Sequence, residues 1–471
     1  MHAMATPIDP NSLMFLLAES RSQPMHVAGM QLFEPPADAG ADFAAQIYEQ
    51  ALLETEVRPL FKKRAYKSIK TAGQWMWTPD EQFDVEHHVR HSALPAPGRV
   101  RELLELVGRL HGTTLDRERP LWEAHVIEGM ADGRLALYTK IHHSLVDGVS
   151  ANRLLQSVLS TDPTKRDMPF PFAVKSSAKT RKVEADAQRR LAEIPLSTAR
   201  QAAGIAMDAA GMPGAFLRTL NKGLRKETSA ISITAPKTML NVPITGSRRF
   251  AAQTWETERL RSIRKATGTS LNDVVLAMCS GALRRYLSDH DSLPDTSLVS
   301  MVPVGLKAKE ANSASSAGGN AVGSIMVRLA TDLADPADRL MAIHRSMQEG
   351  KAALQSMTPN QILAMSALGM APAMFIPLLG LQNLARPPFN LIISNVPGPR
   401  STQYFNGAEL VGTYPVSVPM HGVALNITCT TYAEQIDFGL TGCRRSVPHL
   451  QRLLTDLDDE LAALEEAVGA S

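Results

Sequence analysis

The sequence predicts an α/β protein made of two mixed regions joined by a basic linker. Three observations carry this. The chain has 471 residues, room for two large domains or three at roughly 150 residues each. Helix-spaced and β-like runs alternate on both sides of residues 165–226. Within that stretch the composition shifts to thirteen Lys or Arg against five Asp or Glu, with frequent Ser, Ala, Pro and Gly. We therefore expect a first domain at 1–164, a largely helical linker at 165–234 and a second domain at 235–471.

The elements follow in order. Residues 100–111 have helical spacing, with Leu103, Leu104, Val107 and Leu110 on one side. Trp122–Glu128 and Arg134–Ile141 flank Ala131-Asp132-Gly133 and read as a β-hairpin. Ser270 is placed to cap a helix that opens Leu271-Asn272-Asp273. Short β-like runs follow at 297–304, 324–329, 390–394, 425–430 and 436–440, and a leucine-striped helix spans 446–468. His87, His88 and His91 read as a polar strand or loop edge.

Composition excludes several classes. Lys plus Arg is 49 and Asp plus Glu 47, a formal charge of +2. A nucleic-acid binder needs a strong basic excess, and the linker does not interleave its charges with the aromatic residues that stack on bases. Cys279, Cys429 and Cys443 are few and widely spaced, which points to a reducing cytoplasm and away from a disulfide framework or zinc site. The first residues lack the basic and apolar pattern of a secretory signal.

One stretch complicates a purely soluble reading. Residues 352–385 carry no charged side chain, and 362–381 are nearly all apolar. That is about the ~20 residues a membrane-spanning helix needs, but Gly369, Pro372, Pro377 and Gly380 interrupt it. A broken pair of buried helices and a lipid-facing, peripheral surface both fit; a true span fits worst. The linker likewise reads either as a solvated connection or as a surface drawn to anionic head groups or a phosphorylated substrate.

The chemistry centres on Lys140-Ile-His142-His143-Ser-Leu-Val-Asp147-Gly148. Alternation along a strand sends Leu135, Leu137, Thr139, Ile141 and His143 to one face, and Ala136, Tyr138, Lys140 and His142 to the other. His143 is the one expected to face an apolar interior, where burial keeps an imidazole neutral and able to accept a proton. Asp147 either orients that imidazole or holds the loop, and Gly148 relaxes the backbone beside it. By itself the pattern also fits one core and one surface histidine followed by a helix cap. No carboxylate stands at a metal-ligand spacing beside the pair, and we expect no metal.

In company the motif is specific. His142, His143, Asp147 and Gly148, Pro120-Leu121-Trp122, Asn272-Asp273 before an apolar helix, and Ser394-Asn395-Val-Pro-Gly-Pro399 together resemble the bacterial wax ester synthase/diacylglycerol acyltransferase family. Phe15-Leu16 and Pro24-Met25-His26-Val27 resemble its opening block, although Ser12 stands where an aspartate is expected. The family is part of the CoA-dependent acyltransferase superfamily, which includes condensation domains.

The resemblance implies two CoA-dependent-acyltransferase-like domains, with mixed sheets flanked by helices and an active-site tunnel at their interface. It implies transfer of a fatty acyl group from acyl-CoA to a long-chain alcohol or to diacylglycerol, with His143 as general base. Acyl-CoA is then a co-substrate and no resident cofactor is called for. The other motifs keep a plainer reading beside the functional one. Asn272 caps its helix or stabilises an oxyanion; Asp273 caps the helix or serves substrate binding. Pro120, Leu121 and Trp122 form a packing corner or a ligand site. Ser394 and Asn395 lead into a turn that ends an element or shapes a channel wall. In the apolar stretch, Ile376 and Leu379 are candidates for the channel wall or lipid-facing entrance.

No serine lies in a GxSxG elbow and no cysteine has an evident activating base, so a ternary complex fits better than an acyl-enzyme. Two alternatives remain: a condensation enzyme with an amine, polyketide or carrier-bound acceptor, and a non-catalytic lipid-inclusion protein in peripheral contact with membrane.

Overall fold

The computed structural model describes residues 5–67, 73–174, 235–305, 322–358, 361–362 and 387–470. Most of the basic linker, and Ile376 and Leu379 of the apolar stretch, lie outside the described residues.

Two six-stranded mixed sheets form the framework. The second has the order Val322–Arg328, Val299–Gly305, Leu391–Pro397, Leu425–Tyr432, Gln435–Cys443, Arg248–Glu256. Its Leu391–Pro397 strand runs parallel to both neighbours, and the other pairs are antiparallel. Three helices cover one face: Leu271–Ser288, Pro336–Gln355 and Arg452–Ala467. The first is apolar nearly all round because it is enclosed between the other two and the sheet. Ser270 starts it with a capping box, its hydroxyl taking the Asp273 N–H while the Asp273 carboxylate takes the Ser270 N–H. The last helix begins at Arg452, after turns that already bury Val447 and Leu450.

The first sheet is ordered Tyr404–Phe405, Ala408–Val416, His26–Glu34, Leu135–His142, Trp122–Glu128, Val89–Ala93. Its outermost pair, Val89–Ala93 on Trp122–Glu128, is parallel. The expected hairpin is present, and the 87–91 segment lies at this edge, except that His88 is buried against Trp122. Two strands in this sheet come from beyond residue 400, so the stretch from 235 onward does not stay within one sheet. Ala408–Val416 pairs with His26–Glu34 and is tied to the other sheet as well: the Thr413 N–H donates to buried Asp437 at 2.8 Å.

The halves also meet through the helix Val100–Gly112, which lies across the strand Arg248–Glu256 of the other sheet. A Cβ at Gly108 would stand 3.1 Å from the Arg248 carbonyl, and one at Gly112 2.8 Å from the Gly246 carbonyl. Glycine at these positions allows that close approach. A third seam gathers Val27 of the first sheet and Met25 just before its strand with Val299, Met301 and Ile392 of the second, and Phe15 and Val146 pack against it.

Candidate active site

His142 ends its strand and His143 follows it. Two backbone bonds hold the pair: the His142 N–H donates to the Leu121 carbonyl at 3.0 Å, and the His143 N–H to the Met25 carbonyl at 2.8 Å. The segments that resembled the family's opening block and its Pro-Leu-Trp motif therefore grip the histidines from either side. The His143 ring stacks on Phe15, with centroids 4.0 Å apart and planes 13° from parallel. Since Phe15 packs on the inter-sheet seam, His143 stands where the two halves meet.

The expected placement of His143 in apolar surroundings holds, but His142 is enclosed too. His142, not His143, is the fully enclosed residue, and part of His143 remains open. Alternation along the strand holds, but both faces are covered. The helix Val100–Gly112 lies over Ala136 and Tyr138, so the face carrying His142 is interior too. Even Lys140 on that face is buried, its ammonium held by the carbonyls of Leu110 and Thr113 and by Glu123 at 3.0 Å.

The two imidazoles have different partners. Nδ1 of His142 accepts the Ser144 N–H at 3.1 Å and lies 2.7 Å from the Ser144 hydroxyl. An accepting Nδ1 puts the ring proton on Nε2, which stands 3.3 Å from Oε2 of Glu19. Glu19 also takes the Met25 N–H at 3.1 Å and Arg117 at 3.1 and 3.2 Å. Burial alone would raise the Glu19 pKa; His142, the Met25 N–H and Arg117 outweigh it and hold it below its ordinary value. Sequence reasoning missed Glu19 and Arg117, because neither sits at a recognisable spacing from the histidines.

His143 has no such support. Its Nδ1 is buried with no hydrogen-bond partner among the described residues. Burial pushes its pKa down to about 4, against an opposing pull from the charge on Asp147. Asp147 is hydrogen-bonded elsewhere: it caps the helix Gly148–Gln156, its Oδ1 accepting the Ser150 N–H at 2.7 Å. It therefore acts on His143 through space. Gly148 is the first residue of that helix, at negative φ with open space around it, so the turn does not require a glycine conformation.

The other motif residues are more distant in role. Trp122 is tightly packed, its indole N–H donating to the Phe61 carbonyl at 2.9 Å and its ring stacked between His88 and Phe172, and it also lines an apolar cavity with Phe61 and Phe172. Pro120 and Leu121 are buried beside it. Asn272 is half-buried in the first helical turn next to Asp273, which is 1% exposed. Oδ2 of Asp273 also meets Nδ1 of His344 at 2.8 Å, a partner that the sequence did not flag. Ser394 and Asn395 do not lead directly into a turn. They lie inside the strand Leu391–Pro397, paired with Thr428 and Cys429, because the parallel ladder continues through Pro397. Neither Asn272 nor Asn395 hydrogen-bonds to either histidine among the described residues. No group of three or more His, Cys, Asp or Glu among them is placed to hold a metal ion.

A mixed two-half α/β fold with paired histidines at the seam is the architecture of CoA-dependent acyltransferases. Residues 8–275 match the wax ester synthase/diacylglycerol acyltransferase catalytic domain, and 318–465 match the C-terminal domain of the same family. The chain belongs to this family and is an acyltransferase. It is 48% identical over 462 residues to a Mycobacterium tuberculosis protein named as a diacylglycerol O-acyltransferase, covering 98% of this chain and 100% of that one. The solved wax ester synthase/diacylglycerol acyltransferase from Marinobacter aquaeolei VT8 superposes with a TM-score of 0.76 at 41% identity, over 98% and 100% of the two chains. The first condensation domain of the CDA synthetase shares the fold at a TM-score of 0.58 and 16% identity, over 99% and 97%.

Proposed function

We propose that the chain esterifies a long-chain alcohol, diacylglycerol or both with a fatty acyl group from acyl-CoA, and that His143 is the general base. The observation that carries this is the state of His143: held neutral by burial, stacked on Phe15 at the seam, and with part of the residue still open. As the alcohol oxygen attacks the thioester carbonyl, the free lone pair of His143 takes the hydroxyl proton. The tetrahedral oxyanion collapses to ester and thiolate, and the imidazolium returns its proton to the thiolate, releasing CoA. Atoms balance without an acyl-enzyme, so both substrates must be bound together. The charge of Asp147 stabilises the transient imidazolium, while Glu19, Arg117 and Ser144 keep His142, and with it the backbone of His143, in place. A chemistry of this kind needs no resident metal or organic cofactor.

Asn272, half-buried in the first turn of its helix, is our candidate for the oxyanion. The lipid products call for an apolar route. Ile376 and Leu379 in the uncharged stretch remain candidates for it, as does peripheral contact with membrane or lipid inclusions through that stretch and the linker. No helix among the described residues is long and apolar enough to cross a membrane.

The test is CoA release and lipid product from palmitoyl-CoA, with hexadecanol and a diacylglycerol offered separately. Ester dependent on either acceptor supports the reading, and the two yields rank the acceptors. No ester from either, with transfer to an amine instead, overturns it.

A further inference from the structure

The basic linker is an obvious place to seek the phosphate-binding mouth of an acyl-CoA enzyme, but a built cleft exists elsewhere. About 210 Å³ of space opens where the helix Val100–Gly112 meets the strand Arg248–Glu256 and residues 444–451. Arg109, Arg248, Arg249 and Arg444 line it, with Glu105 as the one carboxylate in the lining. The fold itself brings them together. Arg248 pairs with Cys443 across the sheet, and the Arg444 N–H donates to the Ser247 carbonyl at 3.0 Å. Gly108, with no Cβ to hold the helix off the Arg248 backbone, sets Arg109 over the same strand.

The charges are not neutralised from within. Glu105 is shared between Arg101 at 3.2 Å and Arg249 at 3.8 Å. Arg109 and Arg444 make no side-chain ion pair among the described residues. Arg248 is only 5% exposed and donates to carbonyls alone, those of Ser22, Thr245 and Ser247. Burial pushes it down to about 10, which leaves it charged at neutral pH. Four guanidinium groups lining a cleft with a single carboxylate favour an anion, and their fixed fork matches phosphate oxygens two at a time. The cleft is also tied to the histidines. Ser22, which takes Nη2 of Arg248 at 3.1 Å, lies three residues before Met25, which takes the His143 N–H. That is at most about 11 Å of extended chain.

We infer that this cleft holds the phosphate groups of the acyl-CoA donor, its diphosphate or its 3′-phosphate. The inference rests on acyl-CoA being the donor.

The test is the double variant Arg109→Ala/Arg444→Ala, which removes two exposed side chains and leaves buried Arg248 in place. KM for palmitoyl-CoA should rise about tenfold or more, as expected for two lost charge-assisted contacts. KM for palmitoyl-pantetheine, which has no phosphate, should stay near that of the wild type. Binding of adenosine 3′,5′-bisphosphate, measured by calorimetry, should weaken in step with KM for palmitoyl-CoA. An unchanged KM for palmitoyl-CoA overturns the inference. So does inorganic phosphate competing as well as the bisphosphate. Loss of binding to phosphatidylglycerol vesicles with KM intact would make the cleft a lipid head-group site instead. If the wild type makes no ester at all, the transfer reading falls and the bisphosphate titration decides the cleft: weaker binding in the variant supports it, equal binding overturns it.

Discussion

Oε2 of Glu19 lies 3.3 Å from Nε2 of His142, and the same oxygen takes the Met25 N–H while the Met25 carbonyl holds the His143 N–H. One carboxylate therefore faces the ring of the first histidine at ion-pair distance and steadies the backbone that holds the second. Glu19→Gln removes the charge at similar size. It should cost about 1–3 kcal/mol of stability, the penalty of a poorly satisfied buried group, and about tenfold or more in kcat, because position is lost at the base. The pH dependence has a definite sign. The Glu19 pKa is lowered in the folded state, so its contribution is present above the ordinary glutamate pKa of about 4.3 and is lost as pH falls through the folded value. The stability gap between wild type and variant, followed by urea unfolding, should be full at pH 7 and close at acid pH. A constant gap would show that the carboxylate charge is not what matters.

Asp147 separates capping from catalysis. Asparagine also caps a helix, whereas alanine costs about 1 kcal/mol. Asp147→Asn should thus melt close to wild type, and Asp147→Ala should melt lower. Both should lose kcat, by about tenfold for each 1.36 kcal/mol of imidazolium stabilisation removed. Since the Asp147 charge raises the His143 pKa, both should also move the acid limb of kcat/KM below its wild-type position near pH 4. Wild-type kcat/KM should be flat between about pH 6 and 8, with His143 neutral throughout. An acid limb unmoved in Asp147→Asn would remove the through-space role.

His344 supports the start of the Leu271–Ser288 helix through Asp273. With alanine at 344, the buried Asp273 keeps the Ser270 N–H but loses its 2.8 Å partner. We expect a loss of about 1–3 kcal/mol. If Asn272 serves the oxyanion, kcat should fall while KM for palmitoyl-CoA holds. A fall in stability with kcat unchanged would confine His344 and Asp273 to structure.

Gly281 tests the packing of the second half. A Cβ there would overlap the Glu460 carboxylate, which is buried in an ion pair with Arg339. Gly281→Ala should break that pair and cost about 3–5 kcal/mol, read as a lower urea midpoint. A wild-type midpoint would mean that Glu460 can move aside freely.

Much of the framework was legible in local pattern. The helix at 100–112, the hairpin around Gly133 and the Ser270 capping box each follow from periodicity or from a short-range motif. What escaped was long-range. Nothing in residues 404–416 indicates that they cross to the first sheet, because an edge strand in either sheet has the same alternation. The motif residues His143, Asp147 and Trp122 were found, but their partners were not. Glu19 and Arg117 are 98 residues apart and His344 is 71 residues from Asp273, and such pairs leave no spacing in the chain. The buried state of His142 was missed for a related reason: alternation assigns faces but cannot say that a helix covers the second one.

The proposed reaction turns on His143 accepting the alcohol proton. The most direct measurement is ester formation from palmitoyl-CoA and the preferred acceptor by wild type and His143→Ala, with folding of the variant checked by its melting temperature. The variant should lose about 10²–10⁴-fold in kcat, the range for a positioned general base, with acyl-CoA binding retained. A folded variant that turns over like wild type would contradict it.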